Sequence, residues 1–157
     1  MVIYKSLSDR LKNQHEAIEH IIAFTYKECL KFQPAEGKWS AHDNIAHLAK
    51  YQPIFLERIN QILTEDSPYF ERYKAEDDPE FENWRNYSQA DLLKALNSDR
   101  EAIFNLISGL NEMQLKRFGH HKKFGKLTIV QWTEFFLLHE AHHIFTVFQL
   151  VNNAEVK

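Results

Sequence analysis

Apolar residues recur every three or four positions in four stretches of the chain, which is the spacing of amphipathic α-helices. The pattern predicts four helices, which span roughly residues 6–31, 39–62, 88–109 and 128–151. Ser40 and Ser88 stand where the N-caps of the second and third helices are expected. Pro53 lies inside the second helix, and we expect a kink there without an end, because the periodicity continues past it.

Two long polar connections separate these helices. Residues 65–87 are acidic and rich in aromatic side chains, so we expect this segment to pack down on the bundle with its charges in solvent. Residues 111–127 are basic, and we expect His120 and His121 there to be solvated, with the alternative that this loop rims the site. No stretch shows the pattern of a β-strand. The sequence therefore predicts one all-α domain over residues 1–157, a four-helix bundle with a long connection between the second and third helices.

The composition excludes several classes of protein. Only 4 Gly and 4 Pro among 157 residues suit long helices and argue against a β-barrel. A net charge of −3 gives no reason to expect a nucleic-acid partner. A single cysteine, Cys29, rules out an internal disulfide and fits a reducing compartment. Because the sequence contains neither a signal-peptide pattern nor a long apolar run, we expect no membrane partner and a cytoplasmic location.

The fourth predicted helix carries histidines on the side that should face the core. His139 and His143 are one turn apart, so their imidazoles project in parallel and can bind one metal ion. His47, on the inner face of the second helix, is the best candidate for a third ligand. Three neutral imidazoles with an open fourth position are typical of a reactive zinc site. Buried histidines that each make one ordinary hydrogen bond would explain the same pattern, so that alternative stays open.

The same stretch also matches the H-E-x-x-H motif of metalloproteases, in which Glu140 would be the general base. We discount a protease because Gln149 stands where one such class has a further histidine. No substrate-binding sheet is predicted either. Glu140 lies about 100° around the helix from His139, so it is assigned to the surroundings of the site.

Several residues are candidates for the surroundings of the metal or for its pocket: Glu140, Tyr51, Arg100 and Trp132. Arg100 interrupts an apolar stripe, so it must reach solvent, pair with a carboxylate or bind an anionic substrate, and pairing is the expected outcome. His15 is either a core residue or a fourth ligand. His142 is expected to face outward or towards an adjoining chain.

Two motifs make the sequence similar to a known family. They are W-S-x-x-D-x-x-x-H-L, from Trp39 to Leu48, and H-E-x-H-H, from His139 to His143. They occur together with Pro34, Gly37, Arg58, Arg100 and the turn at 125–128. In these residues the chain resembles the DinB-like (DinB/YfiT-like) superfamily over almost its full length.

The resemblance implies a four-helix bundle that binds a divalent metal ion, zinc or nickel, through His47, His139 and His143. Some relatives are transferases or isomerases that use a low-molecular-weight thiol as a cosubstrate, and many form dimers, which implies a homodimer here. Residues 144–146 read Ile-Phe-Thr, where many members have Arg-Gly-Gln. This difference predicts a more apolar pocket beyond the metal.

Three functions stay open from the sequence. The first is a metal-dependent enzyme in which the ion activates a thiol or water for transfer or hydrolysis of a small-molecule substrate. The second is a stress-response module that binds a metal or a small ligand without turnover. The third is a helical protein whose aromatic surface forms a dimer. The sequence identifies neither the metal nor the substrate.

Overall fold

The computed structural model describes residues 3–154 and forms a bundle of helices. The helices are α1 (Lys5–Asn13), α2 (Ala17–Ile22), α3 (Lys27–Lys31), α4 (Ala41–Thr64), α5 (Phe81–Arg85), α6 (Gln89–Ser108), α7 (Glu112–Leu115) and α8 (Ile129–Ala154). α4 packs against α6 and α8, and α1 contacts both of them. The predicted all-α four-helix bundle is confirmed, while one domain over 1–157 stays a prediction. Among the described residues, none of the helices combines the length and apolar character that crossing a bilayer requires.

The first predicted helix is not continuous, so the expectation of one helix over 6–31 was wrong. A 3₁₀ turn at Gln14–Glu16 separates α1 from α2, and Tyr26 in an extended conformation separates α2 from α3. The first break carries side chains that make tertiary contacts, since the Gln14 amide donates to Leu137 O at 2.9 Å. The apolar stripe continues across both breaks, and for this reason the periodicity does not reveal them.

The start of α4 is fixed by a capping box. The Ser40 hydroxyl accepts a hydrogen bond from the Asp43 backbone N–H at 3.1 Å, and the Asp43 carboxylate accepts one from the Ser40 N–H at 2.9 Å. Arg85 adds a hydrogen bond to the same carboxylate at 2.8 Å. The helix then continues through Pro53 to Thr64, as the periodicity predicted.

The two connections meet in a small sheet that the sequence did not predict. β1 (Tyr69–Phe70) pairs in parallel with β2 (Phe118–His121), which pairs antiparallel with β3 (Gly125–Thr128). Three residues link β2 to β3, and Gly125 closes the turn with a φ of +71°, which favours glycine. Strands of two to four residues are too short to show alternation. The described part of the connection between α4 and α6 packs down through Phe70, Ala75 and Phe81, as expected.

Polar side chains divide the core of the bundle into two apolar clusters. The cluster beside the sheet contains Leu7, Leu11, Phe55, Ile59, Phe70, Ile103, Ile107, Trp132 and Phe136. The other contains Ile18, Ile22, Ile45, Leu48, Leu92, Leu96, Val147 and Val151. At the boundary lie the residues that we call the polar layer: His15, His47, Gln52, Arg100, His139, Glu140 and His143.

An ion pair between Arg100 and Glu140 lies at the centre of the polar layer. The two side chains are 1% and 0% exposed. The Arg100 Nε–H also donates to Gln52 Oε1 at 3.1 Å, and the Gln14 amide donates to Glu140 Oε1 at 3.0 Å. The guanidinium carbon lies 4.8 Å from the centre of the Phe136 ring. Arg100 therefore makes the carboxylate pairing that its position on an apolar stripe favoured.

Replacing Gly119 by Ala should lower the free energy of unfolding by about 1–3 kcal/mol, because overpacking costs energy of this order. The new Cβ would lie 2.7 Å from Phe70 Cε2 and 3.0 Å from Ile62 Cγ1. Gly109→Ala is the matched control, since its Cβ would lie no nearer than 3.4 Å to Asn105 O and its stability should hold or rise slightly. Urea unfolding of both variants measures the difference, and equal stabilities would contradict the close packing of the sheet on α4.

Replacing Arg100 by Met should lower the free energy of unfolding by about 3–5 kcal/mol, because Glu140 is left buried without a countercharge. The double variant with Glu140→Leu should regain a large part of that loss. Lys5→Met, which breaks the exposed pair with Asp9, is the control and should cost less than about 1 kcal/mol. Chemical denaturation is carried out on the wild type, on Arg100→Met, Glu140→Leu and Lys5→Met, and on the double variant. A loss in the double variant equal to the sum of the Arg100→Met and Glu140→Leu losses would show that the two charges do not interact.

Candidate metal centre

Three histidines from two helices converge at one edge of the polar layer. α4 contributes His47, and α8 contributes His139 and His143. One ring nitrogen from each lies within 4.8 Å of the other two, and the Nε2 atoms of His47 and His139 are 3.1 Å apart. A tetrahedral zinc ion with bonds of about 2.0–2.1 Å needs nitrogens roughly 3.3 Å apart. The spacing of the three imidazoles therefore fits one ion.

The cap of α4 controls the orientation of His143. Asn44 Nδ2 donates a hydrogen bond to Ser40 O at 2.8 Å, which turns the amide oxygen towards α8. That oxygen lies 2.8 Å from His143 Nδ1. Because an amide oxygen only accepts, Nδ1 must carry the hydrogen, and the lone pair of His143 is left on Nε2. A hydrogen bond to the second ring nitrogen is the usual way in which proteins orient a metal-binding histidine.

The other two histidines have no such partner in the part of the chain that the structure describes. The Nδ1 atoms of His47 and His139 are buried and have no hydrogen-bond partner within residues 3–154. The Nε2 atoms of His47 and His139 face each other and can share only one hydrogen. At least one nitrogen of each of the two rings therefore remains poorly satisfied. A cation at the point where the three rings converge would bind one nitrogen lone pair from each of them. The donor set, three imidazoles, suits zinc and nickel alike.

Burial keeps all three histidines neutral. Desolvation lowers the pKa of His47 to about 3, of His139 to about 4 and of His143 to about 2. Repulsion from neighbouring histidines adds to the lowering in each case. Neutral imidazole is the form that binds a metal, so the cluster is ready to do so at neutral pH.

Aromatic rings hold the histidines in place. The His47 ring lies between Trp39 and Tyr73, with centroids 5.1 and 5.8 Å away. The Tyr51 ring lies 4.8 Å from the His139 ring. These contacts restrict the rotamers of the two imidazoles that have no hydrogen bond on Nδ1.

A cavity of about 530 Å³ opens onto the histidines. Its walls come from residues 37–39, α4, residues 72–76, β2 through His121, and α8. Of the residues that the structure describes, four with cationic side chains and one acid, Glu76, line the cavity; the four are Lys38, Arg58, Arg72 and Lys74. A volume of this size fits a small molecule, and its charge favours an anion.

The structure separates the candidates for the surroundings of the site. Tyr51 lines the cavity, whereas Trp132, Arg100 and Glu140 do not. Trp132 lies behind the wall, against His121, with ring centroids 5.6 Å apart. Glu140 is fully buried and bound to Arg100, so the carboxylate that the metalloprotease motif requires does not face the cavity.

The two remaining histidines of interest lie apart from the cluster or at its edge. His15 is buried beside Arg100, with Nδ1 3.4 Å from Nη1, and it does not join the three converging histidines. His142 is exposed and lies at the rim of the cavity, its ring centroid 5.3 Å from that of His143.

His121 is a cavity residue for which the sequence favoured a solvated position and offered the rim of the site only as an alternative. The expectation that it is solvated was wrong, since it is only 4% exposed and lines the cavity. Its Nδ1 accepts hydrogen bonds from the backbone N–H groups of Lys123 at 3.0 Å and Phe124 at 3.2 Å. The hydrogen of the ring is therefore on Nε2. The letters K-K-F-G after His121, a short loop that ends in glycine, were the available signal for the hairpin.

Comparison with known proteins agrees with this architecture. The sequence profile of the DinB superfamily matches residues 11–147. YfiT from Bacillus subtilis, described as a probable metal-dependent hydrolase with an unusual four-helix bundle topology, has a TM-score of 0.83 and 19% identity, over 94% of this chain and 85% of that one. The DinB-like protein YjoA from Bacillus subtilis has a TM-score of 0.61 and 18% identity, over 95% of this chain and 91% of that one.

A further four-helix bundle protein, TT2238, has a TM-score of 0.59 and 16% identity, over 90% of this chain and 95% of that one. No curated protein matches the sequence. At these identities the structural likenesses establish the fold alone. The sequence profile spans most of the chain, and on that ground the chain belongs to the DinB superfamily.

Proposed function

We propose that this protein is a metal-dependent hydrolase for a small molecule, with a divalent ion, zinc or nickel, held by His47, His139 and His143. The observation that carries the proposal is the convergence of three neutral imidazoles at the floor of a cavity. YfiT, which shares the fold, is described as a probable metal-dependent hydrolase, and this description supports the same reaction class here.

An ion bound by three imidazoles keeps a position open, lowers the pKa of a water or thiol there and polarises the bond to be broken. The chain's own residues bind and orient the substrate beside it. Tyr51 stays protonated at neutral pH because burial raises its pKa. Its oxygen accepts a hydrogen bond from Arg58 Nη1 at 3.2 Å, so its own hydrogen is free to reach a substrate oxygen near His139.

The neighbouring tyrosine has a different task. The Tyr73 hydroxyl donates to Asp78 Oδ2 at 2.9 Å, and this acceptor holds the ring against His47. Burial and the nearby carboxylate both raise the pKa of Tyr73, so it keeps its hydrogen. Tyr73 and Trp39 therefore exclude water from the side of the histidine cluster, while Tyr51 supplies a donor.

The homodimer that the family resemblance implied stays a prediction. Leu138, Phe145 and Phe148 are 62%, 58% and 49% exposed on the outer side of α8. They form an apolar surface on which a second copy of the chain could pack.

The purified protein should hold about one zinc or nickel ion per chain, and His143→Ala should weaken its binding by at least about a hundredfold. His142→Ala is the matched control, because it removes the adjacent imidazole, which lies at the cavity rim outside the cluster. It should change the affinity by less than about threefold. Elemental analysis and competition with a chelator measure both, and equal losses in the two variants would contradict the assigned ligands.

Activity is tested on the metal-loaded protein with a panel of small esters and amides, in water alone and with added low-molecular-weight thiols. The wild type and His142→Ala should turn over a common substrate, whereas His143→Ala should lose at least about a hundredfold in kcat/KM. Turnover that requires a thiol would change the reaction from hydrolysis to transfer. Turnover that survives in His143→Ala would exclude the proposed centre.

The metal-free protein should lose stability as the pH falls below about 6.5. The unfolded chain binds protons on its histidines there, while the folded pKa values of His47, His139 and His143, about 3, 4 and 2, keep these side chains neutral. Each contributes about 1.4 kcal/mol per pH unit, and His15, with a pKa of about 4, adds a fourth. Urea unfolding between pH 7.5 and 5 measures how steeply the free energy of unfolding falls with pH. In His143→Gln this slope should be smaller by the contribution of one histidine, and it would be unchanged if the site were solvated.

A further inference from the structure

Arg58 is a buried cation that has no carboxylate partner among the described residues. It is 9% exposed, and its hydrogen bonds run to Tyr51 Oη at 3.2 Å and to the backbone oxygen of Glu71 at 2.8 Å. Within residues 3–154 it takes part in no ion pair. Two nearby acids are engaged elsewhere, since the Glu71 side chain pairs with Lys122 at 2.8 Å and Asp78 lies 3.6 Å from Lys50. Glu76 lines the same cavity but forms no ion pair with Arg58.

Arg100 shows how the same chain treats a buried guanidinium that needs no ligand. Arg100 has Glu140 as its countercharge inside the core, while Arg58 faces the cavity. Rings of Tyr51, Phe70 and Trp132 surround the Arg58 guanidinium carbon at 5.9, 5.5 and 5.8 Å. Ring faces reduce the cost of burying the charge but leave it unneutralised.

The guanidinium has donors to spare. An arginine carries five N–H groups, and Arg58 uses two of its nitrogens on Tyr51 and Glu71. Arg72 lies in the same wall of the cavity and also lacks an ion pair within the described residues. His121 adds a neutral donor, because its Nδ1 accepts two backbone hydrogen bonds and its Nε2 keeps the hydrogen.

We propose that Arg58, Arg72 and the Nε2–H of His121 form an anion-binding subsite in the cavity wall, which takes a carboxylate or phosphate group of a small ligand. The Tyr51 side chain links this subsite to the histidine cluster, since its oxygen binds Arg58 and its ring contacts His139. On the proposed function, that ligand is the substrate, and its anionic group lies near the bond that is hydrolysed. Anion binding itself requires no metal.

The test is made on protein freed of metal with a chelator and then dialysed. Sodium phosphate or sodium succinate is titrated by calorimetry at an ionic strength held constant with sodium chloride. Saturable binding at one site per chain is expected, and the tighter of the two anions identifies the preferred group. Arg58→Gln should weaken that anion by about tenfold or more, the scale of one lost charge-assisted hydrogen bond.

Arg10→Gln is the matched control, because it removes the same charge from an arginine that pairs with Glu134 outside the cavity. Its anion affinity should stay within about twofold of the wild type. Arg58→Lys, which keeps the charge and loses the fork, should fall between the wild type and Arg58→Gln. Arg72→Gln, at an exposed position, should lose several-fold, so these two variants decide the matter if Arg58→Gln does not fold.

Failure to bind either anion saturably, or equal losses in Arg58→Gln and Arg10→Gln, would overturn the subsite. The titration contains no metal, so its result is separate from the elemental analysis of the histidine centre. If the protein binds phosphate through Arg58 but retains no zinc or nickel, the anion-binding subsite is supported and the proposed metal-dependent hydrolase is contradicted.

Discussion

The ion pair between Arg100 and Glu140 fixes the rotation of α8, and the candidate centre depends on that rotation. Glu140 follows His139 directly, so the two side chains point about 100° apart on the helix. When Glu140 is held by Arg100 and Gln14 inside the core, His139 is turned towards α4 and the cavity. A buried carboxylate would be costly in any other position. The ion pair thus favours one rotation of α8 about its axis.

A second constraint acts from α4. The capping box of Ser40 and Asp43 sets the first turn of the helix, and Asn44 in that turn binds both Ser40 and His143. His47 follows one turn later on the same face. The motif from Trp39 to Leu48 therefore encodes a helix start, a ring that packs on the site, an orienting amide and a ligand candidate within ten residues. The same ten residues therefore specify both the local structure and part of the candidate metal site.

The long helices could be predicted from the spacing of their apolar residues, and the three histidines from their positions on the inward faces of two of these helices. The break at Gln14 could not, since it accompanies a contact with α8 that is more than a hundred residues away in sequence. The sheet escaped because its strands are shorter than the window in which alternation is visible. His121 was therefore taken for a loop residue. The sequence singled out Arg58 only as part of a family pattern, because whether a cation has a countercharge depends on which side chains meet in the folded chain.

The parallel pairing of β1 with β2 joins the two connections that build the mouth of the cavity. Phe70 lies beside His121 in this pairing, and Glu71 separates Phe70 from the cavity residues Arg72 and Tyr73. The Lys122 N–H bonds to Phe70 O at 3.1 Å, and the His120 N–H bonds to Pro68 O at 2.7 Å. A few backbone hydrogen bonds thus join the two connections at the entrance of the cavity. A change in the hairpin turn would alter which ligands can enter the cavity, although the side chains of the turn need not contact the ligand. The positions of the histidines on α4 and α8 would stay the same.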